Sequence, residues 1–163
     1  MAAIFASLIV PAAVLGGGLP MIEFPVKPMA PGLSLPQLDG SSFDLAKYTG
    51  RTVVVNFWAT WCPPCLKEMP ALESAWQRLR ERGVVVVAVN LGDTPERIRR
   101  FLERRPVTFP ILLDTGSRSF DPWQIQNLPT TYVVGPDGFI HYGAIGDREW
   151  DSEEILQPIL SLR

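Results

Sequence analysis

Both cysteines of this 163-residue chain fall within Trp61-Cys62-Pro63-Pro64-Cys65. A Cys-x-x-Cys pair can cycle between dithiol and disulfide, supply two zinc ligands, or stay inert as a structural bond or buried thiols. A structural zinc site takes four protein ligands, and the chain offers two cysteines and one histidine, His141, far off in sequence. A disulfide closing so short a loop constrains the unfolded chain little, which points to redox use. At a helix N-terminus, free N–H groups and the positive end of the macrodipole favour a thiolate on the first cysteine. Cys62 is then the nucleophile, and Cys65, one turn further in, is placed to attack a mixed disulfide and release the partner. Pro63 and Pro64 stiffen the loop where no backbone donor is needed.

The surrounding elements must supply that helix start. Residues 52–58 are β-branched and aromatic and read as a buried strand, and residues 63–82 place Leu66, Met69, Leu72, Ala75, Trp76 and Leu79 at helical spacing before Gly83. A second apolar run, 84–89, completes a right-handed βαβ unit. Thr94-Pro95-Glu96 opens a further helix reaching about residue 105. A short strand at 110–113 follows, then strands at 131–134 and 139–143 around Gly135-Pro136-Asp137-Gly138, and a helix over 150–162. Ahead of the body, 33–35 and 42–45 flank Asp39-Gly40-Ser41 as a β-hairpin. The fold class is α/β, a central mixed sheet flanked by helices with an N-terminal hairpin.

Phe57-Trp58-Ala59-Thr60-Trp61-Cys62-Pro63-Pro64-Cys65, followed by Glu68, Pro70 and Leu72, resembles the thioredoxin superfamily, and more narrowly its TlpA/ResA-like extracytoplasmic thiol–disulfide oxidoreductases. The likeness runs from Ala30-Pro31-Gly32 through Leu38-Asp39-Gly40, Val87-Ala88-Val89-Asn90 and Phe109-Pro110 to Leu128-Pro129-Thr130-Thr131-Tyr132. It implies a thioredoxin-like sandwich that needs no cofactor or metal. Pro129 matches the family's cis-proline facing the dithiol, and the Leu128 backbone would pair with an extended substrate strand. Trp61, Pro63 and Pro64 border the docking surface, whereas Trp58 reads as buried and Trp76, Trp123 and Trp150 as packing residues. Exchange also needs a group to handle the proton of buried Cys65. The buried Asp of cytoplasmic thioredoxins is replaced by Asn56, which does not titrate. Asp93 is the candidate acid–base group, the alternative being a loop carboxylate ahead of the Thr94 cap. Glu68 matches the family's helix Glu, with a solvated or locally hydrogen-bonded role as the alternative. Peroxidase chemistry is disfavoured because Ala59 stands where peroxiredoxins carry Thr or Ser. A Sco-type copper-binding assembly factor is a further alternative, one that would recruit His141.

Composition bounds the rest. With 47% hydrophobic and 20% charged residues and a mean hydropathy of +0.13, the chain is neither disordered nor a disulfide-stapled miniprotein. A net charge of −2 argues against nucleic acid as a partner. Residues 1–22 carry no charge and read as an apolar export segment or membrane anchor, though no Lys or Arg precedes the run; the alternative is an arm packed on the domain. Residues 23–36, with four prolines, read as a Pro-rich linker, leaving 37–163 as the thioredoxin-like domain. Eight of twelve arginines lie between Arg78 and Arg105 and read as a solvated helix face, the alternative being a dock for anionic lipid or an acidic partner. The expectation is a periplasmic or otherwise extracytoplasmic monomer, tethered at its N-terminus to the inner membrane. It reduces disulfides of envelope proteins, including those of cytochrome c maturation, with a membrane electron donor; a thiol oxidant of the envelope is the alternative.

Overall fold

The computed structural model describes residues 19–162. Among the described residues there are eight strands: β1 (Ile22–Glu23), β2 (Ser34–Pro36), β3 (Ser42–Asp44), β4 (Val53–Trp58), β5 (Val85–Leu91), β6 (Ile111–Asp114), β7 (Thr130–Val134) and β8 (Ile140–Ile145). Three α-helices accompany them: α1 (Pro63–Leu79), α2 (Pro95–Leu102) and α3 (Glu153–Ser161). A six-stranded sheet has the order β1-β8-β7-β4-β5-β6, with β4, β5 and β6 parallel and β7, β8 and β1 joining antiparallel; β2 and β3 form the separate hairpin. This is the expected mixed sheet.

Side-chain alternation divides the core in two. Val54 and Trp58 of β4 and Val86 and Ala88 of β5 pack with Met69 and Leu72 of α1, Ile98 of α2, and Ile155 and Leu156 of α3. Val53, Val55, Phe57, Val85, Val87 and Val89 face the other way, against Leu33 and Phe43 of the hairpin segment and Trp123 and Ile125. Because β4 and β5 are covered on both faces, they read as continuous apolar runs. Pro70 is accommodated inside α1, which continues to Leu79 before a 3-10 turn and Gly83 at φ +79°.

The Pro-rich linker expected over 23–36 is instead part of the domain. β1 pairs with β8, Phe24 N–H donates to the His141 carbonyl (2.9 Å), Ala30 N–H to that of Gly138 (3.0 Å), and Ile140 N–H to that of Pro28 (2.8 Å). Leu33 is 3% exposed. The physical reason is the position of the donors. Pro25, Pro28 and Pro31 hold the chain extended while residues between them keep N–H groups for the ladder, an arrangement that only a sheet edge tolerates. Residues 22–36 are therefore part of the domain. Of the segment expected to export or anchor the chain, 1–22, residues 1–18 lie outside the described residues; Leu19 and Ile22, near its end, are exposed, and Ile22 already belongs to β1. Among the described residues no helix is long and apolar enough to cross a membrane.

Candidate active site

The site residues gather at one end of the sheet. β4 ends at Trp58, and its pairing of Phe57 with Thr130 sets the start of β7, and with it Pro129, beside the loop leading to Cys62. β5 delivers Asp93 to the same end, since Trp58 pairs with Asn90. β8 arrives there at its C-terminus, Ile145 opposite Thr130.

Cys62 caps α1, its Sγ accepting from the Cys65 N–H at 3.3 Å, and Pro63 opens the helix. The two cysteines form a disulfide, Cα to Cα 5.3 Å. Cys65 is completely buried and Cys62 3% exposed, whereas Trp61 is 62% exposed and Pro63 is also exposed. The exposed Trp61 and Pro63 flank Cys62, with Cys65 sealed beneath. The Leu128–Pro129 peptide bond is cis, as the resemblance implies; Pro129 is buried, Leu128 half-buried, and the Pro129 carbonyl accepts from Gly146 N–H at 2.8 Å.

Asp93, the acid–base candidate, is buried among hydrogen-bond donors. The carboxylate accepts from Thr60 N–H (2.8 Å), the Thr60 hydroxyl (2.9 Å) and Asn90 Nδ2 (3.0 Å), and pairs with Arg97 Nε at 3.2 Å. Thr60 belongs to the active-site loop, Asn90 to the end of β5 and Arg97 to the first turns of α2. Asp93 thus fastens Thr60, two residues ahead of Cys62. We expect Asp93→Ala to lower unfolding free energy by about 3 kcal/mol, because the half-buried Thr60 donors and the buried Asn90 donor lose their acceptor; urea unfolding of the oxidised protein measures this.

Glu68 is a different kind of carboxylate. It sits on α1 three residues after Cys65, a spacing that puts two side chains on one helix face with Cβ atoms about 5–6 Å apart. It is 2% exposed, and burial pushes its pKa up to about 7. Hydrogen bonds donated by Trp150 Nε1 (2.7 Å), Asn56 Nδ2 (2.8 Å) and Arg148 N–H (3.2 Å) oppose that rise, and the Asp147 charge adds to it. Asp147 is itself paired with Lys67 at 2.6 Å.

Three contributors escaped the sequence reading. Asn56 does not titrate but bridges Glu68 and the Thr131 hydroxyl (2.9 Å), linking helix to β7; a buried Asn within a valine-rich strand was the signal, since such a group needs partners. Trp150, read as a packing residue, also donates to Glu68. Arg148, buried, donates from Nη1 to the carbonyls of Ile145 (3.1 Å), Gly146 (3.2 Å) and Asp147 (2.9 Å), and from Nε to that of Pro20 (3.2 Å). It holds the loop whose backbone meets both Pro129 and Glu68. The copper reading fails on geometry. His141 lies near the β7–β8 turn, at the far end of β8 from the cysteines, and its Nε2 pairs with Asp137 at 2.9 Å.

A mixed sheet carrying a dithiol–disulfide centre at the head of its longest helix, opposite a cis-proline, defines a thioredoxin-like thiol–disulfide oxidoreductase. Residues 26–143 match the family model described as AhpC/TSA family, and the chain belongs to that family. Within it the chain is similar to the thiol-disulfide oxidoreductase ResA of Halalkalibacterium halodurans, with 39% identity over 128 residues, 77% of this chain and 72% of the relative. To the ResA of Bacillus subtilis it is 36% identical over 109 residues, 67% of this chain and 61% of the relative's length. Among solved structures, a Chlorobium tepidum protein classed as thiol:disulfide interchange protein DsbE superposes with a TM-score of 0.76 at 29% identity, covering 83% of this chain and 96% of that one.

Proposed function

We propose that this oxidoreductase acts as a reductant of disulfides in extracytoplasmic proteins. The observation that carries the reading is the asymmetric pair at the start of α1, with Cys65 fully buried and Cys62 beside an exposed docking edge. In the reduced protein, Cys62 thiolate attacks one sulfur of the partner's disulfide, and the other partner sulfur leaves as a thiolate. Cys65 then attacks Cys62 Sγ, closing the Cys62–Cys65 bond and releasing the second partner sulfur. Two electrons and two protons pass to the partner, and a thiol donor, here a membrane protein, must return them. Trp61, Pro63 and Pro64 form the docking edge, and the Leu128 backbone ahead of cis-Pro129 pairs with the partner's extended strand. Glu68 takes the proton of Cys65, while Asp93 keeps the loop in place.

The similarity to ResA and DsbE proteins supports a setting outside the cytoplasm, where protein disulfides persist. The apolar residues ahead of β1 would export or tether a monomeric domain there, and apoproteins of cytochrome c maturation are the partners that the family resemblance implies. Direction is tested by equilibrating the Cys62–Cys65 couple with a redox buffer. A potential below about −200 mV supports the reductant, and a value near −120 mV would make the protein an oxidant instead. Failure to exchange with any protein disulfide would sink the enzyme reading altogether.

A further inference from the structure

Helix α2 and its C-terminal turn carry more positive charge than the fold uses. From Arg97 to Arg105 the chain places five arginines against one glutamate, Glu103, in a protein of net charge −2. Three arginines are engaged: Arg97 with Asp93, Arg99 with Glu96 at 3.8 Å, and Arg105 over the Phe101 ring at 5.5 Å. Arg100 and Arg104 lie one turn apart and have no acidic partner among the described residues. Like charges at that spacing repel. With Arg97, Phe101 and Glu103 they line a surface groove of about 410 Å³.

The groove adjoins the site of exchange. Arg97 donates from Nε to the Thr60 hydroxyl at 2.9 Å, and only the exposed Trp61 separates Thr60 from Cys62 in the chain. Phe101 also packs its ring 5.4 Å from that of Trp58, the last residue of β4. Cationic and apolar walls together suit a polypeptide: guanidinium groups take carboxylates in two-point contacts, and Phe101 offers a surface for the intervening apolar groups.

We propose that this groove binds an acidic stretch of the partner protein, flanking the cysteine that meets Cys62; the proposal rests on thiol–disulfide exchange and names the substrate class. Position favours a protein over an anionic lipid surface. Arg99 and Leu102 of α2 border Ile111 of β6, at one edge of the six-stranded sheet, whereas the chain's N-terminal side enters at β1, the opposite edge, roughly 24 Å away at the usual strand spacing. The arginines thus stand at the edge of the sheet opposite the one at which the chain enters.

The test uses the full chain and the double variant Arg100→Glu, Arg104→Glu, both exposed positions clear of the dithiol. Three probes are compared: a disulfide-bonded peptide flanked by Asp and Glu, the same peptide flanked by Lys, and the uncharged bis(2-hydroxyethyl) disulfide. For the acidic peptide, kcat/KM is expected to fall about tenfold or more at low salt, and the difference to shrink as salt is raised. The lysine peptide should gain and the neutral disulfide stay unchanged. Equal use of the two peptides by the unmodified protein overturns the proposal. So does an equal loss on the neutral disulfide, which would locate the effect at the dithiol. Binding to phosphatidylglycerol vesicles that is lost in the variant, with peptide rates intact, overturns it in favour of lipid. If the unmodified protein turns over none of the three probes, exchange itself fails and the proposal falls with it, an outcome separable from the others because it needs no variant.

Discussion

A Cys65→Ser variant is expected to accumulate a covalent complex with its protein partner, and a Cys62→Ser variant none. The asymmetry follows from burial. Cys65 is sealed beneath the helix start, so an incoming sulfur can reach only Cys62, at the Trp61–Pro63 edge. With serine at 65 the first attack proceeds, the partner's second sulfur leaves, and nothing remains to break the Cys62–partner bond. With serine at 62 the remaining thiol is inaccessible, and the helix N-terminus loses the sulfur its free N–H groups stabilise. Each variant should lower steady-state reduction of a protein disulfide by on the order of 10³ or more, as expected for loss of a nucleophile or its resolving partner. Non-reducing electrophoresis after brief mixing distinguishes the two. Equal trapping by both variants would contradict the assigned roles, since it would require Cys65 to be as accessible as Cys62.

Much of this architecture is readable in the chain, for reasons that differ by element. β4 and β5 are found because strands covered on both faces need unbroken apolar runs, and α1 because its buried stripe and terminal Gly83 are local features. The paired cysteines declare themselves by standing where that strand meets that helix. The Pro-rich segment misleads because proline content does not say where the intervening donors point; their register with β8 is a property of residues more than a hundred positions away. Glu68 is obscured in the same way. Its immediate neighbours describe an ordinary helix carboxylate, and what buries and hydrogen-bonds it comes from Arg148 and Trp150, 80 and 82 residues downstream. Asp93 is placed at the correct end of the sheet by its position after β5, but only the contacts with Thr60 and Arg97 show that it secures the loop.

The pH dependence of the oxidised protein should carry the signature of Glu68. Burial keeps this carboxyl protonated in the folded state up to about pH 7, against 4.5 for an unperturbed Glu. Below the lower value both folded and unfolded chains hold the proton, and the group contributes no difference. As pH rises from about 4.5 to 7, the unfolded chain releases a proton that the folded chain retains, so stability falls, by about 3 kcal/mol in all, and levels off above that. Glu68→Gln keeps the size and neutral polarity of the protonated acid and should remove this slope, so that the variant loses less stability than the parent between pH 4.5 and 8. Carboxylates elsewhere whose pKa values are lowered contribute slopes of opposite sign in both proteins, so the difference between the two urea-unfolding series isolates Glu68. Asp147→Asn should move the midpoint of that difference downward, because the Asp147 charge raises Glu68. Glu68→Gln also tests the proton path. If Glu68 accepts the Cys65 proton, Glu68→Gln slows the resolving step by about 10²-fold or more and removes its rise near pH 7. A variant that keeps the parental rate profile while losing the stability slope would leave Glu68 a buried acid of the fold, with the proton of Cys65 going directly to solvent or partner.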